Sequence, residues 1–502
     1  MTGATVYGLF AMRARTRPQA LALVSGPERL DYRTLLARVD QVAADLAGRG
    51  VVRGDRVAIL SENTIHYTAV QLACAKLGAM AACQNWRLAD SELAHCLTLV
   101  SPKLLLASAR YMARAAGLGL DLPCLNISTL GQDAGEHVDC AATPEDGLLI
   151  IYTSGTTGLP KAAVISHRAE IARMSVLRMD LGWRPGDAYL AWAPMFHMGG
   201  TEHLLATLMA GDTGIIVDGF DVEAIVDALE AYRLGWLLLV PATIEPLLER
   251  LSVRQARVKG VGVVGCMADL VPAATITALC KALDAPFLNS FGATETGMPP
   301  LSAGVLQLGN GLGRYPKQLS SLTELELVNQ QGGRVQPGET GEARVRGATL
   351  FSGYWQADGV RADAFHDGWF HMGDLFRNTG EGYEFVGRSK YLIKSGGENI
   401  YPAEIERVLL ADARIADAVV VRRPDERWGE CPVAVVVPAD AGLDADAVLA
   451  LCGASLASYK RPRDVVFAHA QDMPRSASGK IIREAVEAML ADGRLGPPLR
   501  RR

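Results

Sequence analysis

A run of hydroxyl and glycine residues that ends on a lysine lies near residue 155, and its composition suits the binding of a polyphosphate. Residues 152–161 read YTSGTTGLPK and follow the apolar residues 148–151. Glycines let backbone N–H groups approach an anion closely, and the hydroxyls and the lysine add further donors. The spacing from Gly155 to Lys161 does not match a Walker A loop. The sequence therefore predicts a phosphate-binding loop of another kind, with a polar surface turn as the alternative.

The segments that must position this loop alternate between helical and extended patterns. Predicted helices cover 34–48, 67–77, 168–177, 201–209, 222–234 and 241–251, and predicted strands cover 56–60, 80–83, 104–107, 188–192, 214–217, 236–240, 261–264 and 287–288. Such alternation predicts βα winding around mostly parallel sheets. Ligands of open α/β sheets bind at the carboxyl ends of strands, so Ser154, Met195, Cys266 and Phe291 are expected to converge on one crevice.

The pattern changes twice in the second half of the chain. Short alternating segments at 323–328 and 342–346 predict the hairpins of a small β-barrel. From about residue 391, helices at 402–410, 444–457 and 481–490 and strands at 418–422, 433–437 and 464–467 predict a separate α+β unit. The predicted fold class is α/β: a large N-terminal domain, 1–389, of two βα-wound sheets plus the barrel, and a mobile small α+β C-terminal domain, 390–502.

Composition excludes several classes of protein. The chain has 502 residues, 49% of them hydrophobic, and its 50 Lys+Arg against 55 Asp+Glu give a net charge of −5, which lacks the basic footprint of a nucleic-acid binder. The nine cysteines form no Cys-x-x-Cys pair, which argues against a disulfide framework and favours a reducing cytoplasm. No segment reads as a signal peptide or is long enough to cross a bilayer. Peripheral membrane contact and a homodimer stay open.

Five further stretches carry a resemblance to a known family. They are MFH at 195–197, NSFGATE at 289–295, GWFHMGD at 368–374, SGGENIYP at 395–402 and PRSASGK at 474–480. Together with the first loop they resemble the adenylate-forming superfamily of acyl-CoA synthetases, peptide-synthetase adenylation domains and firefly luciferase. The resemblance covers nearly the whole chain and is closest to fatty-acid or aryl acyl-CoA synthetases.

The resemblance implies an ATP site with bound Mg²⁺. Its ATP-binding residues would be Thr153, Ser154, Gly155, Thr156, Thr157, Gly158, Lys161, Ser290, Phe291, Gly292, Asp374 and Arg388. Asp374 would accept hydrogen bonds from the ribose hydroxyls. Glu295, with Thr156, would hold Mg²⁺, because a hard cation prefers oxygen ligands. The catalytic residues would be Lys480, Glu295 and Thr294, with Lys480 bridging the substrate carboxylate and the α-phosphate.

The resemblance also implies coenzyme A as the acyl acceptor. Gly396, Gly397 and Glu398 would line the tunnel for its pantetheine arm, where glycines let the backbone form a narrow wall. Lys390 would be the hinge about which the small domain alternates between two orientations. Its neighbour Tyr391 replaces the aspartate common in the family, so the contacts of one orientation are expected to differ.

The acid would bind against a further set of residues. By resemblance these are His197, Gly199, Gly200, Cys266, Met267, Phe291 and Met298. His197 stands where amino-acid-activating relatives carry an aspartate, which argues against an amino-acid substrate. The two glycines remove side-chain volume and Met298 is adaptable, so a medium or bulky apolar acid is expected rather than acetate. The turn at 265–268, GCMA, departs from the usual pattern and leaves the choice among aliphatic, aryl and polycyclic acids open.

The implied reaction forms an acyl adenylate and pyrophosphate, and coenzyme A then displaces AMP. Three alternatives remain: an adenylation enzyme that loads a carrier protein, a luciferase-like oxygenase, and a non-enzymatic binding protein of the same fold. A metal site at His197, Glu202 and His203 is a further alternative, although the spacing is not His-Glu-x-x-His and places the two imidazoles on different faces of a helix.

Overall fold

The structure is a computed structural model that describes residues 4–132, 136–154, 159–267, 271–306, 316–356, 359–395, 398–439, 442–475, 480–495 and 499–500. Its helices are α1 Val6–Thr16, α2 Tyr32–Gly48, α3 Ile65–Leu77, α4 Asp90–Val100, α5 Met112–Gly117, α6 His167–Leu181, α7 Met198–Ala210, α8 Val222–Ala231, α9 Pro241–Arg254, α10 Ala273–Leu283, α11 Pro402–Leu410, α12 Ala445–Ser455 and α13 Arg483–Ala491.

The strands of the first half are β1 Leu21–Ser25, β2 Glu28–Asp31, β3 Arg56–Leu60, β4 Met80–Cys83, β5 Leu104–Ala107, β6 Cys124–Asn126, β7 Gly147–Ser154, β8 Pro160–Ser166, β9 Ala188–Ala191, β10 Gly214–Ile216, β11 Leu234–Leu238, β12 Val261–Cys266, β13 Phe287–Asn289, β14 Gly292–Ala293 and β15 Gly297–Pro300. Those of the second half are β16 Thr323–Val328, β17 Thr340–Gly347, β18 Gly353–Gln356, β19 Gly359–Arg361, β20 Phe365–His366, β21 Trp369–Asn378, β22 Tyr383–Arg388, β23 Ile393–Ser395, β24 Glu398–Ile400, β25 Ile415–Asp425, β26 Gly429–Pro438, β27 Asp464–Phe467 and β28 Leu499–Arg500.

Two large sheets form the first part of the chain. One has the order β13-β12-β11-β9-β10-β1-β2 and the other the order β19-β18-β8-β7-β4-β3-β5-β6. The strands joined by helical crossovers pair in parallel, whereas hairpins such as β7 with β8 are antiparallel. The prediction of two βα-wound sheets is confirmed. A continuous core between them contains buried side chains of α1, α2, α3 and α7, so both sheets are fixed relative to each other by apolar burial.

The sequence patterns located most elements but misplaced some. Leu234 was predicted to end a helix, yet it begins β11, because α8 already ends at Ala231 and a strand side chain at 234 is fully buried against β9 and β12. Strand β8 follows the phosphate loop directly, where the sequence predicted only a helix. Helices α1 and α4 were also not predicted. Each has 11 residues, and packing of its buried face against the rest of the domain stabilises it.

The later elements form two smaller units. The region predicted as a barrel forms an antiparallel sheet of five strands within the described residues. Its strand order is β16-β17-β21-β20, and β22 pairs with β21. The last unit has the sheet β24-β23-β26-β27-β28 with β25 on β26, and an apolar cluster covers each of its faces. The small α+β domain is therefore confirmed, while its exact start at residue 390 stays a prediction. None of the helices in the described ranges combines the length and apolar character that a bilayer crossing needs.

Candidate active site

Strand ends of the first sheet lie together in the region where the sequence predicted a crevice. Cys266 ends β12 beside Asn289 of β13, and its carbonyl accepts a hydrogen bond from Ser290 N at 3.1 Å. Asn63, which the sequence analysis did not single out, joins the two sheets at this edge. Its amide donates to the carbonyls of Ala193 and Val217, both at 2.9 Å, and its Oδ1 accepts from Met195 N at 2.8 Å. One buried asparagine thus fixes the backbone around the crevice.

Lys161 and Glu295 converge on a single tyrosine. The Tyr354 hydroxyl donates to Glu295 Oε1 at 2.6 Å, and Lys161 Nζ lies 5.0 Å from the centre of the Tyr354 ring. Strand β18 places this ring, because Tyr354 pairs with Ala163 two residues after Lys161. Burial and the adjacent Glu295 carboxylate raise the pKa of the Tyr354 phenol, so it stays a hydrogen-bond donor. No sequence spacing indicated Tyr354, since it is remote from both partners along the chain.

A buried arginine supports the turn that carries Thr294 and Glu295. Arg173 of α6 donates to the Thr294 carbonyl at 3.1 Å and to the Thr349 carbonyl at 2.9 Å, and it also pairs with Glu202. Gly297 of this turn has a φ of +73°, and a side chain there would collide with the Arg173 stem. The guanidinium therefore holds the turn between β14 and β15 in place. Arg173 was another residue that the sequence analysis missed.

Asp374 and Arg388 are neighbours across two strands of the small sheet. They pair in register between β21 and β22, and Arg388 Nε donates to Asp374 Oδ1 at 2.9 Å. Asp374 is 1% exposed while the Arg388 side chain is 47% exposed. Burial raises the pKa of the Asp374 carboxyl, and the Arg388 and Lys480 cations act against that rise.

Lys480 of the C-terminal domain reaches the same crevice. It is close enough to Arg388, Asp374 and Cys266 for their charges to act on its pKa, which burial and the Arg388 cation lower. Lys480 in turn helps to lower the pKa of His197, for which burial is the main cause, to about 4. The side chains of Lys480 and His197 are surrounded by protein and still have solvent-accessible surface, as expected of groups that line a concave site. The structure thus brings Lys480 to Asp374, Cys266 and His197, which are more than a hundred positions earlier in the chain.

The predicted acyl-pocket residues lie around the start of α7. His197 is the N-cap residue, and its Nδ1 accepts from Gly199 N at 3.2 Å, which leaves the ring proton on Nε2. A side chain at Gly200 would clash with the carbonyls of Ala193 and Pro194, and one at Gly199 would meet the flexible end of Leu238. Close backbone packing therefore explains Gly200, whereas the sequence analysis attributed it to pocket volume.

The remaining predicted residues differ in how far the structure describes them. Cys266 and Met298 are buried, and Met267 is half-buried. Phe291 packs edge-on against Phe376 with ring centres 4.8 Å apart and is 5% exposed, so its role in binding ATP stays a prediction. Thr153 pairs with Lys161 across the hairpin, Gly292 begins β14, and Glu398 is exposed. Gly155, Thr156, Thr157, Gly158, Gly396 and Gly397, together with the Ser154 side chain, lie outside the described residues.

The segment at the predicted hinge is held to the helix that follows Lys480. Lys390 Nζ lies 2.7 Å from Glu484 Oε1, and the Tyr391 hydroxyl donates to the same oxygen at 2.8 Å. The Arg483 guanidinium covers the Tyr391 ring at 5.0 Å. Tyr391, where the family commonly has aspartate, thus contributes a hydroxyl and an aromatic face to this contact. The hinge hypothesis predicts that this contact stabilises Lys390 in the orientation that brings Lys480 to the crevice.

Replacing Glu484 by glutamine is therefore expected to slow adenylation about two- to fivefold, because a partly exposed ion pair contributes about 0.2–1 kcal/mol. Acyl transfer from a supplied acyl adenylate should change little, since the hinge hypothesis assigns it to the other domain orientation. The two half-reactions are measured separately by pyrophosphate exchange and by thioester formation. Asp492→Asn, which affects an exposed carboxylate paired with Arg494, is the control. Equal slowing of both half-reactions would contradict this role of the hinge contact.

The donors present suit Mg²⁺ better than a transition metal. Glu295 offers a buried carboxylate whose Oε1 is already oriented by Tyr354, the hard oxygen ligand that Mg²⁺ prefers. At the alternative site, Glu202 pairs with Arg173, and the His203 ring stacks on Tyr189 at 5.4 Å. Among the described residues no group of three or more histidine, cysteine or acidic side chains is arranged to hold a metal ion.

The fold and this site define an adenylate-forming enzyme, and comparison with known proteins agrees. The family model described as AMP-binding enzyme matches residues 10–355, and its C-terminal domain model matches residues 404–480. The chain belongs to the family of AMP-binding enzymes. Two curated relatives are an indoleacetate–CoA ligase from Aromatoleum aromaticum, 36% identical over 93% of this chain and 94% of that protein, and a feruloyl-CoA synthase from Amycolatopsis, 34% identical over 94% and 96%.

A solved structure is similar over almost the whole chain. The o-succinylbenzoate coenzyme A synthetase from Bacillus subtilis, in a complex with ATP and a magnesium ion, is 26% identical, has a TM-score of 0.84 and matches 95% of this chain and 99% of its own. These findings confirm the prediction of an AMP-forming acid–thiol ligase with a large N-terminal and a small C-terminal domain. ATP, Mg²⁺ and coenzyme A are the co-substrates and cofactor of this class.

Proposed function

We propose that the protein is an ATP-dependent aryl-acid–CoA ligase whose small domain is placed here for the adenylate-forming half-reaction. The observation that carries the proposal is the position of Lys480 beside Asp374, Arg388 and His197. The crevice holds the residues proposed to bind the ribose and the acid, and a separate domain supplies the lysine. Its cation would reduce the repulsion between the substrate carboxylate and the α-phosphate, the two anions that must react.

In the first half-reaction an oxygen of the substrate carboxylate attacks the α-phosphorus of ATP, and the bond from that phosphorus to the pyrophosphate oxygen breaks. Residues 153–158 and Lys161 would hold the β- and γ-phosphates. Ser290, Phe291 and Gly292 would contact the adenine base of ATP. Asp374 and Arg388 would bind the ribose, and their ion pair fixes both side chains before ATP arrives. Glu295 and Thr156 would hold Mg²⁺, which supplies charge neutralisation at the phosphates.

In the second half-reaction the thiol sulfur of coenzyme A forms a bond to the acyl carbon, and AMP leaves with the electrons of the broken acyl–phosphate bond. Gly396, Gly397 and Glu398 would line the approach of the pantetheine arm. Since Lys480 occupies the crevice in the present orientation, the small domain would rotate about Lys390 to present these glycines.

The acid is proposed to be aromatic and of medium to large size. The relatives named above act on indoleacetate and ferulate, and the o-succinylbenzoate synthetase acts on another aryl acid. His197 is uncharged near pH 7 because its pKa is lowered to about 4, so the wall it forms suits an apolar ring rather than a second anion. Backbone carbonyls pack closely against Gly200 and leave no space there. At Gly199 the nearest neighbour is the flexible end of Leu238, so this position would make room for the aromatic ring.

The test is a screen of AMP release with aliphatic, aryl and polycyclic acids in the presence of coenzyme A or a phosphopantetheinylated carrier protein. We expect aryl acids to give the highest kcat/KM, and mass spectrometry to show the CoA thioester. Acylation of the carrier protein in preference to coenzyme A would assign the chain to carrier loading. A preference for acetate, or AMP release that needs oxygen, would contradict the proposal.

Assembly and compartment belong to the same proposal. A homodimer is proposed and is tested by light scattering on the purified protein. A cytoplasmic location is supported by the nine cysteines, most of them buried and none in a disulfide within the described structure, because a reducing compartment preserves thiols. Peripheral membrane association would be detected by sedimentation with lipid vesicles.

A further inference from the structure

A group of buried ionisable side chains lies behind the candidate acyl pocket. It consists of Glu170 and Arg173 of α6 and Glu202 and His203 of α7, here called the distal cluster, and all four side chains are buried. The cluster borders the pocket in two places. Met298 lines the same cavity as the cluster, and Tyr189 stacks on His203 while its hydroxyl donates to the Gly199 carbonyl at 2.5 Å.

Arg173 and Glu202 are satisfied within the cluster, whereas the Glu170 carboxyl and both ring nitrogens of His203 have no hydrogen-bond partner among the described residues. Arg173 pairs with Glu202 and with the Thr294 and Thr349 carbonyls. Both carboxyl oxygens of Glu170 lack a hydrogen-bond partner within the part of the chain that the structure describes. Leaving a buried polar group unpaired is destabilising, and more so if the group is charged. Burial, and next to it the Glu202 charge, raise the pKa of Glu170 well above its usual range.

The space beside Glu170 is small and specific. A cavity of about 10 Å³ is lined by Glu170, Glu202, His203, Met298 and neighbouring apolar side chains. This volume is close to what one water-sized group occupies, so it suits the terminal polar atom of a ligand rather than a ring. Glu170, Glu202 and His203 add polar groups to a lining that is otherwise mainly apolar, which distinguishes the cavity from a wholly apolar packing defect.

We propose that Glu170 determines acid specificity by accepting a hydrogen bond from an N–H or O–H group on the aryl acid, at the end remote from the reacting carboxylate. The inference rests on the proposed aryl-acid ligase function and adds the chemical class of its substrate. A site built around a buried acceptor rejects an analogue that lacks the donor, because the acceptor is then left unpaired. An ordered water that satisfies Glu170 permanently is the competing occupant, and it would give no such discrimination.

The experiment compares acids that differ only in the donor. Indole-3-acetate is paired with benzofuran-3-acetate, and 4-hydroxycinnamate with 4-fluorocinnamate, and kcat/KM for AMP release is measured with each acid. The wild-type enzyme is expected to prefer the donor-bearing acid at least about tenfold in one pair, the effect of about 1.4 kcal/mol. Glu170→Leu should reduce that ratio below about threefold. Glu170→Gln should keep it, because the amide oxygen accepts the same hydrogen bond.

Controls separate this role from a structural one. Met174→Leu changes an apolar side chain of the same cavity and should leave the ratio unaltered, and thermal unfolding checks that each variant is folded. A wild-type ratio near one in both pairs, or a ratio that survives in Glu170→Leu, would overturn the inference while the ligase function stands. Absence of AMP release with all four acids would contradict the ligase function and the inference together.

Discussion

Replacing Lys480 by alanine is expected to slow acyl-adenylate formation by roughly 10²- to 10³-fold, while thioester formation from a supplied acyl adenylate stays within about threefold of wild type. The physical reason is that a cation placed where negative charge accumulates in the transition state contributes several kcal/mol in a site that excludes water. Lys480 lies beside Asp374 and Arg388 in the crevice, and the proposed rotation of the small domain would remove it before acyl transfer. Pyrophosphate exchange measures the first half-reaction, and CoA thioester formation measures the second.

The pH profile gives an independent check of the same residue. Burial and the Arg388 cation lower the pKa of Lys480 from its ordinary 10.5. Because the cation is the active form, adenylation should decline as pH rises through this lowered value, and Lys480→Arg should lose that alkaline decline, since a guanidinium keeps its charge. Lys281→Ala, which alters an exposed lysine of α10, serves as the control. Equal loss of both half-reactions in Lys480→Ala would refute the assignment.

Replacing Glu295 by glutamine is expected to reduce kcat/KM for ATP by roughly 10²-fold and to raise the Mg²⁺ concentration needed for half-maximal activity. The substitution preserves shape and the hydrogen bond from Tyr354, so the main change is loss of the negative charge that a hard cation requires. Activity is measured as AMP release while the Mg²⁺ concentration is varied at fixed ATP.

A matched substitution tests whether the effect belongs to the metal. Glu339→Gln removes the charge of an exposed loop glutamate and should leave the Mg²⁺ dependence unchanged. Tyr354→Phe should weaken activity less than Glu295→Gln, because the carboxylate remains and only its orientation is lost. A Glu295→Gln enzyme with the wild-type Mg²⁺ requirement would exclude Glu295 as the metal ligand.

The class of enzyme could be predicted from the sequence because several contiguous stretches each carry their own chemistry. A phosphate loop such as 152–161 depends on the local conformation of neighbouring residues, and local conformation follows from residue type and spacing. The strands and helices of the βα units were located for the same reason, since apolar periodicity acts over a few residues. The misplacement of Leu234 shows where this fails: an apolar residue between a helix and a strand satisfies both patterns, and only pairing with β12 decides.

Other features of the site arise from contacts between distant segments. Tyr354 orients Glu295 and flanks Lys161, Arg173 supports the Thr294 turn, and Asn63 joins two sheets, yet none of the three belongs to a motif that surrounds its partners. The requirement for glycine at position 200 likewise comes from tertiary packing, because the carbonyls of Ala193 and Pro194 lie against it. Side chains of this kind act through tertiary packing, which residue spacing does not encode.

The sequence by itself determined the reaction class, the two-domain organisation and the identity of most residues proposed to bind ATP, because these depend on local motifs. The tertiary structure alone decided which domain orientation is present, that Tyr391 and Lys390 share Glu484, and that Glu170 is buried beside the acyl pocket with an unpaired carboxyl. Each of these is a property of groups brought together by the burial of apolar surface, and the free energy of such contacts depends on distance and solvent exclusion rather than on position in the chain.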